Sequence, residues 1–128
     1  MKRIDLIVGA RPNFIKAFPV YRALEKTGQF SLRLINTGQH YDKNMVAVFF
    51  EQLKMKEPDI NLGIGSGRHG EQTARILDEV EKEFLSQKPD LVIVFGDINS
   101  TLAAALAAAK LNIPIAHVEA GLRSFDRT

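Results

Sequence analysis

The run Leu91-Val-Ile-Val-Phe95 is apolar at every position and is closed by Gly96-Asp97. A strand with one wet face alternates apolar and polar residues, so an uninterrupted run predicts a strand covered on both faces, as in a parallel sheet with helices above and below. The flanking segments agree. Glu71 to Gln87 reads as an amphipathic helix, with Thr73, Ile76, Leu77, Val80 and Phe84 on one face and Asp78, Glu79, Glu81, Lys82 and Glu83 toward solvent. Asn99 to Lys110 is an alanine-rich helix, able to approach a sheet or helix closely. The same alternation runs through the rest of the chain. Ile4 to Val8 reads as a strand, Pro12 to Glu25 as a largely buried helix carrying Ile15, Phe18, Val20, Tyr21 and Leu24, and Leu32 to Thr37 as a second strand. A polar loop over Gly38 to Asp42, a helix over Asn44 to Leu53, a weak strand at Ile60 to Leu62 and a last strand at Pro114 to Glu119 complete the pattern. Gly63 to Gly70 carries four of the nine glycines and reads as a flexible loop with no packing role. Repeated βαβ units predict an α/β fold, a doubly wound parallel sheet of order 3-2-1-4-5 if growth reverses after the third strand.

Composition narrows the chemistry. At 128 residues, 45% hydrophobic and 25% charged, the chain suits one globular domain, with no membrane span. The formal charge of +2 is too small and dispersed for a nucleic-acid footprint. The basic excess sits in residues 1–64, with ten Lys and Arg against six Asp and Glu, which suits a small anionic ligand. The absence of cysteine excludes a disulfide framework, thiolate metal sites and a cysteine nucleophile. His40, His69 and His117 lie far apart and form no HExxH pair. Asp5 interrupts the first apolar run, which ends at Gly9, so the N-terminus does not read as a signal peptide and the expected location is cytoplasmic. Gly121 to Thr128 reads as a loop-like tail after a strand, as expected of part of something longer.

Ligands of open parallel sheets bind outside the carboxyl ends of the strands. That edge receives Gly9-Ala-Arg-Pro-Asn13 with Lys16, then Gly38-Gln39-His40, then Gly96-Asp97-Ile98-Asn99, and Glu119 with Arg123. Arg11 and Lys16 at a helix start are the expected anion ligands. The first loop is not GxGxxG, Arg-Pro standing where close approach is needed, and no GxxxxGK[ST] occurs, so nicotinamide, flavin and P-loop chemistry are disfavoured. Asp97 either braces its own turn or faces the ligand if Asn99 caps the following helix. His117 reads equally as a core histidine, sharing a strand face with Glu119. A partly screened Glu119 suits general acid or base work. Arg68, His69, Gln72 and Thr73, in or after the glycine-rich loop, lie on a segment that either closes over a ligand or is merely exposed.

Four segments, Gly-Ala-Arg-Pro-Asn-Phe-Ile-Lys (9–16), Thr-Gly-Gln-His-Tyr-Asp (37–42), Gly-Asp-Ile-Asn-Ser-Thr-Leu-Ala (96–103) and His-Val-Glu-Ala-Gly-Leu-Arg-Ser (117–124), occur in order across the chain. Together they closely resemble the non-hydrolysing UDP-N-acetylglucosamine 2-epimerases. The resemblance implies a Rossmann-like domain spanning residues 1–128, the N-terminal half of a glycosyltransferase-B-type two-domain fold whose C-terminal nucleotide-binding domain this chain lacks. It implies elimination of UDP to a glycal and re-addition with C2 inverted, for surface polysaccharide precursors, and a fragment inactive alone. Asp97 and Glu119 match the family's catalytic positions and Arg11 and Lys16 its basic pair, with His40 and Arg123 as further substrate-binding candidates. Some members are activated by a second substrate molecule bound beside the active site, and Gln39, His40, Arg68 and Gln72 are the candidates for such a site. No metal or other cofactor is implied, and the partners are a UDP-sugar and a second copy in a homodimer.

Ala10, Asn13 and Ile98 depart from the more usual Thr, acidic residue and Thr of the family. These departures leave room for an epimerase of a related UDP-diacetamido sugar and for a hydrolysing relative. A glycosyltransferase-B-type domain that only binds a sugar nucleotide, or transfers from it, is the remaining alternative.

Overall fold

The computed structural model describes residues 2–38 and 57–118. Within them the chain forms β1 (Lys2–Val8), α1 (Arg11–Thr27), β2 (Phe30–Asn36), β3 (Ile60–Asn61), α2 (His69–Ser86), β4 (Leu91–Phe95), α3 (Asn99–Lys110) and β5 (Ile115–Val118). The strands make one sheet of order β3-β2-β1-β4-β5, parallel throughout. This is the expected reversal of growth after the third strand, and β4 and α3 keep their expected bounds. The helix expected over 44–53 lies outside the described residues, as does most of the 38–42 loop.

Strand pleat divides the core in two. Leu6, Val8, Leu34, Ile93 and Phe95 face α1, where Phe14, Ala17 and Tyr21 cover them. Ile7, Ile35, Val92 and Val94 face the other way, toward Ile76, Val80 and Phe84 of α2 and the buried alanines of α3. Phe84 is wholly buried, which at about 25 cal/mol per Å² stabilises the fold by about 2–3 kcal/mol. Two helix faces differ from expectation. In α1, Ile15 is 53% exposed, because Phe14 and Ala17 take the face toward the sheet. In α2 the buried position is Gln72 rather than Thr73, and the helix begins two residues early, at His69.

One strand position breaks the apolar pattern. Asp5, fully buried on β1, lies in register with Arg33 of β2, whose guanidinium donates to both carboxylate oxygens (3.1 and 2.8 Å) and to Glu83 of α2 (3.2 Å). Burial pushes the Asp5 carboxyl above its ordinary value, against the opposing pull of Arg33. The bridge ties α2 to the sheet.

The glycine-rich segment is part of the packing, contrary to the sequence reading. Ile64 is buried in the α2/α3 core, and the Ile64 and Gly65 N–H groups donate to the Thr37 and Gly38 carbonyls (2.9 and 2.8 Å). Gly63 and Gly65 take positive φ (64° and 75°), which lets the backbone turn on either side of the inserted isoleucine.

Candidate functional site

The carboxyl edge is held together by short polar side chains. Asn13, in the first turn of α1, is buried; its Oδ1 accepts from the Gly9 N–H (2.9 Å) and its Nδ2 donates to the Phe95 carbonyl (3.3 Å). It thereby clamps the end of β1 to the end of β4. Thr37 and Ser100 share a buried hydroxyl hydrogen bond of 2.7 Å, joining the end of β2 to the start of α3, and Thr101 Oγ1 donates to the Phe95 carbonyl (2.6 Å). Sequence reasoning missed these braces. The signal for Asn13 was its place three residues after Ala10, the residue before the helix, where a polar side chain reaches back to an unpaired N–H.

Gly96 takes φ +69°, so the chain turns sharply out of β4 and presents Asp97. The Asp97 carboxylate is exposed and has no side-chain partner among the described residues. Asn99 does not cap α3, since no side chain caps that helix start. His117 is exposed on β5, not in the core, and its Nε2 donates to the Gly96 carbonyl, bracing the same turn. Arg11 is the first residue of α1, and Lys16 follows half-buried on the same helix. Gln39, His40, Glu119 and Arg123 lie outside the described residues.

On the α2/α3 face the edge carries a second polar cluster. Buried Gln72 donates Nε2–H to the Gly65 carbonyl (2.7 Å), and its Oε1 accepts from Asn99 Nδ2 (2.8 Å). Asn99 Nδ2 also lies 3.0 Å from His69 Nδ1. Gln72 therefore spends its amide inside the protein, whereas Arg68 is exposed at the start of α2. Among the described residues no group of three or more His, Asp or Glu side chains is arranged to hold a metal ion. No described helix is long and apolar enough to cross a membrane.

Comparison with known proteins decides the family. The model of the UDP-N-acetylglucosamine 2-epimerase family matches residues 22–128. The chain belongs to the UDP-N-acetylglucosamine 2-epimerase family. It is 57% identical over 127 residues to a UDP-N-acetylglucosamine 2-epimerase of Methanococcus maripaludis, covering 99% of this chain and 34% of that protein. It is 53% identical over 124 residues to UDP-2,3-diacetamido-2,3-dideoxy-D-glucuronate 2-epimerase of Pseudomonas aeruginosa, covering 97% and 35%. The crystal structure of Methanocaldococcus jannaschii UDP-GlcNAc 2-epimerase in complex with UDP-GlcNAc and UDP superposes with a TM-score of 0.88 at 55% identity, covering 98% of this chain and 34% of that one. The chain thus spans about a third of the length of these 2-epimerases, and its sheet has their Rossmann-like fold.

Proposed function

We propose that the protein carrying this chain is a UDP-N-acetylglucosamine 2-epimerase that interconverts UDP-N-acetylglucosamine and UDP-N-acetylmannosamine. The observation that carries this reading is the 55% identity, over nearly the whole chain, to an epimerase crystallised with UDP-GlcNAc and UDP. The present chain contributes the N-terminal domain, and a second domain elsewhere in the protein closes the site over the nucleotide.

The chemistry fits the edge. The proton on C2 of a UDP-hexosamine is not acidic, because no carbonyl adjoins it. Its removal becomes feasible as the C1–O bond to UDP breaks, when positive charge spreads over C1 and the ring oxygen. A base takes the C2 proton, the bond electrons form the C1=C2 double bond of a 2-acetamidoglucal, and UDP leaves with the C1–O electron pair. Re-addition of UDP to C1, with proton delivery to the opposite face of C2, completes the inversion. The step needs carboxylates at the sugar and cations at the diphosphate. Asp97, at the end of β4 and without a side-chain partner among the described residues, and Glu119 fill the first role. Arg11 and Lys16 on α1, with Arg123 and His40, fill the second. The intact protein works as a homodimer in the cytoplasm.

The test is solvent exchange. During turnover in deuterium oxide, the product should carry deuterium at C2, and retention of the original proton would overturn the reading. A second reading is favoured by the 53% identity to the diacetamido-glucuronate 2-epimerase, namely that the sugar is a UDP-2,3-diacetamido uronate. Parallel turnover of the two UDP-sugars decides between them by the ratio of kcat/KM.

A further inference from the structure

We propose that His69 is a substrate-contacting residue that donates a hydrogen bond from Nε2–H to an oxygen on the sugar ring or its substituents. Gln72 and Asn99 are the residues that position it. The inference rests on the reading above that the ligand is a UDP-sugar.

The network fixes which ring nitrogen carries the proton. Gln72 Nε2 is committed to the Gly65 carbonyl, so the amide atom it turns toward Asn99 is Oε1, an acceptor. Asn99 must therefore offer its Nδ2, and an amide nitrogen has two hydrogens and no lone pair to accept with. One hydrogen serves Gln72 Oε1, and the other points at His69 Nδ1, 3.0 Å away. His69 Nδ1 is thus the acceptor, and the neutral ring carries its proton on Nε2. Among the described residues that N–H has no partner, and the ring is exposed. The anchor is firm, because Gln72 is only 5% exposed and is held to the glycine loop.

Position selects the sugar over the diphosphate. α1, with Arg11 and Lys16, covers one face of the sheet, and α2 and α3 cover the other. The Asp97 turn stands between them: Gly96 adjoins the Asn13 side chain of α1, and Asn99 opens α3. A ligand whose diphosphate rests against the start of α1 passes its sugar over Asp97 and reaches His69 last. A neutral donor there suits a hydroxyl or an N-acyl carbonyl oxygen.

The intact protein is titrated calorimetrically with UDP and, separately, with UDP-N-acetylglucosamine. His69→Phe should weaken the UDP-sugar about tenfold and leave UDP within about twofold, and His69→Gln, which keeps an N–H donor, should recover most of the loss. Unchanged affinity for both ligands, or equal weakening of both, overturns the proposal. Nitrogen-15 spectra of the wild-type protein test it without a variant. They should show a neutral His69 with Nε2 protonated, its signal moved by UDP-sugar and not by UDP, and the opposite tautomer or a response to UDP alone overturns it. Failure is separable from failure of the epimerase reading: wild-type exchange at C2 with an indifferent His69→Phe removes this inference alone.

Discussion

Gly9→Ala tests how tightly the carboxyl edge is built. A Cβ on Gly9 would lie 2.3 Å from Ser100 Oγ, 2.7 Å from Thr37 Oγ1 and 2.9 Å from Ser100 Cβ. The obstructing side chains are short, buried and bonded to each other, so neither can rotate away cheaply. Restoring ordinary contact requires β1 and the start of α3 to part by about 1 Å. Overpacking of this kind costs about 1–3 kcal/mol, and stretching the Thr37–Ser100 hydrogen bond adds about 1 kcal/mol, giving about 2–4 kcal/mol in all. For a domain of this size that lowers the Tm of its own unfolding transition by about 8–16 °C, measured as that domain's transition in thermal unfolding of the intact protein. Because α3 begins two residues after Asp97, the same displacement should lower kcat more than can be explained by the unfolded fraction. Ser100→Gly removes the two contacts on the α3 side, so the double variant should recover at least 1 kcal/mol relative to the sum of the single changes. A Tm drop under about 2 °C for Gly9→Ala, or strict additivity in the double variant, would refute the close-approach argument.

Asn13→Ala leaves the Gly9 N–H without its side-chain acceptor, while the Phe95 carbonyl keeps the Thr101 hydroxyl, and should cost about 1–3 kcal/mol in denaturant unfolding. Arg33→Met strands a buried carboxylate and should cost about 3–5 kcal/mol at neutral pH. Its pH dependence has a definite sign: burial already raises the Asp5 carboxyl, and removing Arg33 raises it further. The charged form therefore opposes folding, and the deficit should shrink as pH falls through the folded-state value toward the unfolded value of 3.8, which paired melts at descending pH would show. Asp97→Asn should slow deuterium exchange at C2 by about 10²–10⁴-fold while UDP affinity, read by calorimetry, stays within about twofold.

Much of the fold was legible because hydrophobic periodicity reports directly on burial. An unbroken apolar β4 required cover on both faces, and the bounds of β4 and α3 stood as read. The errors have specific causes. Periodicity favoured Thr73 for the buried face of α2, but Gln72 takes it because its amide finds partners in Gly65 and Asn99. Glycine content suggested flexibility for residues 63–70, yet two positive-φ turns around Ile64 pack that segment into the core. Asn99 was one of two alternatives for bracing the start of α3, but the residues that engage it lie 27 and 30 positions away. The place of Asp97 was legible because a residue directly after a buried strand of a parallel sheet arrives at the carboxyl edge.

By itself the sequence determined the layered sheet, its carboxyl edge, the family and, among the described residues, those delivered there, since each follows from local pattern or motif. Only the tertiary structure decided how those residues are held. The Asn13 clamp, the Thr37–Ser100 brace that makes Gly9 obligatory, and the Gln72–Asn99–His69 relay all join residues from separate βαβ units. Their geometry is set by how the strands are ordered across the sheet, which brings distant positions within hydrogen-bond distance and which no spacing along the chain encodes.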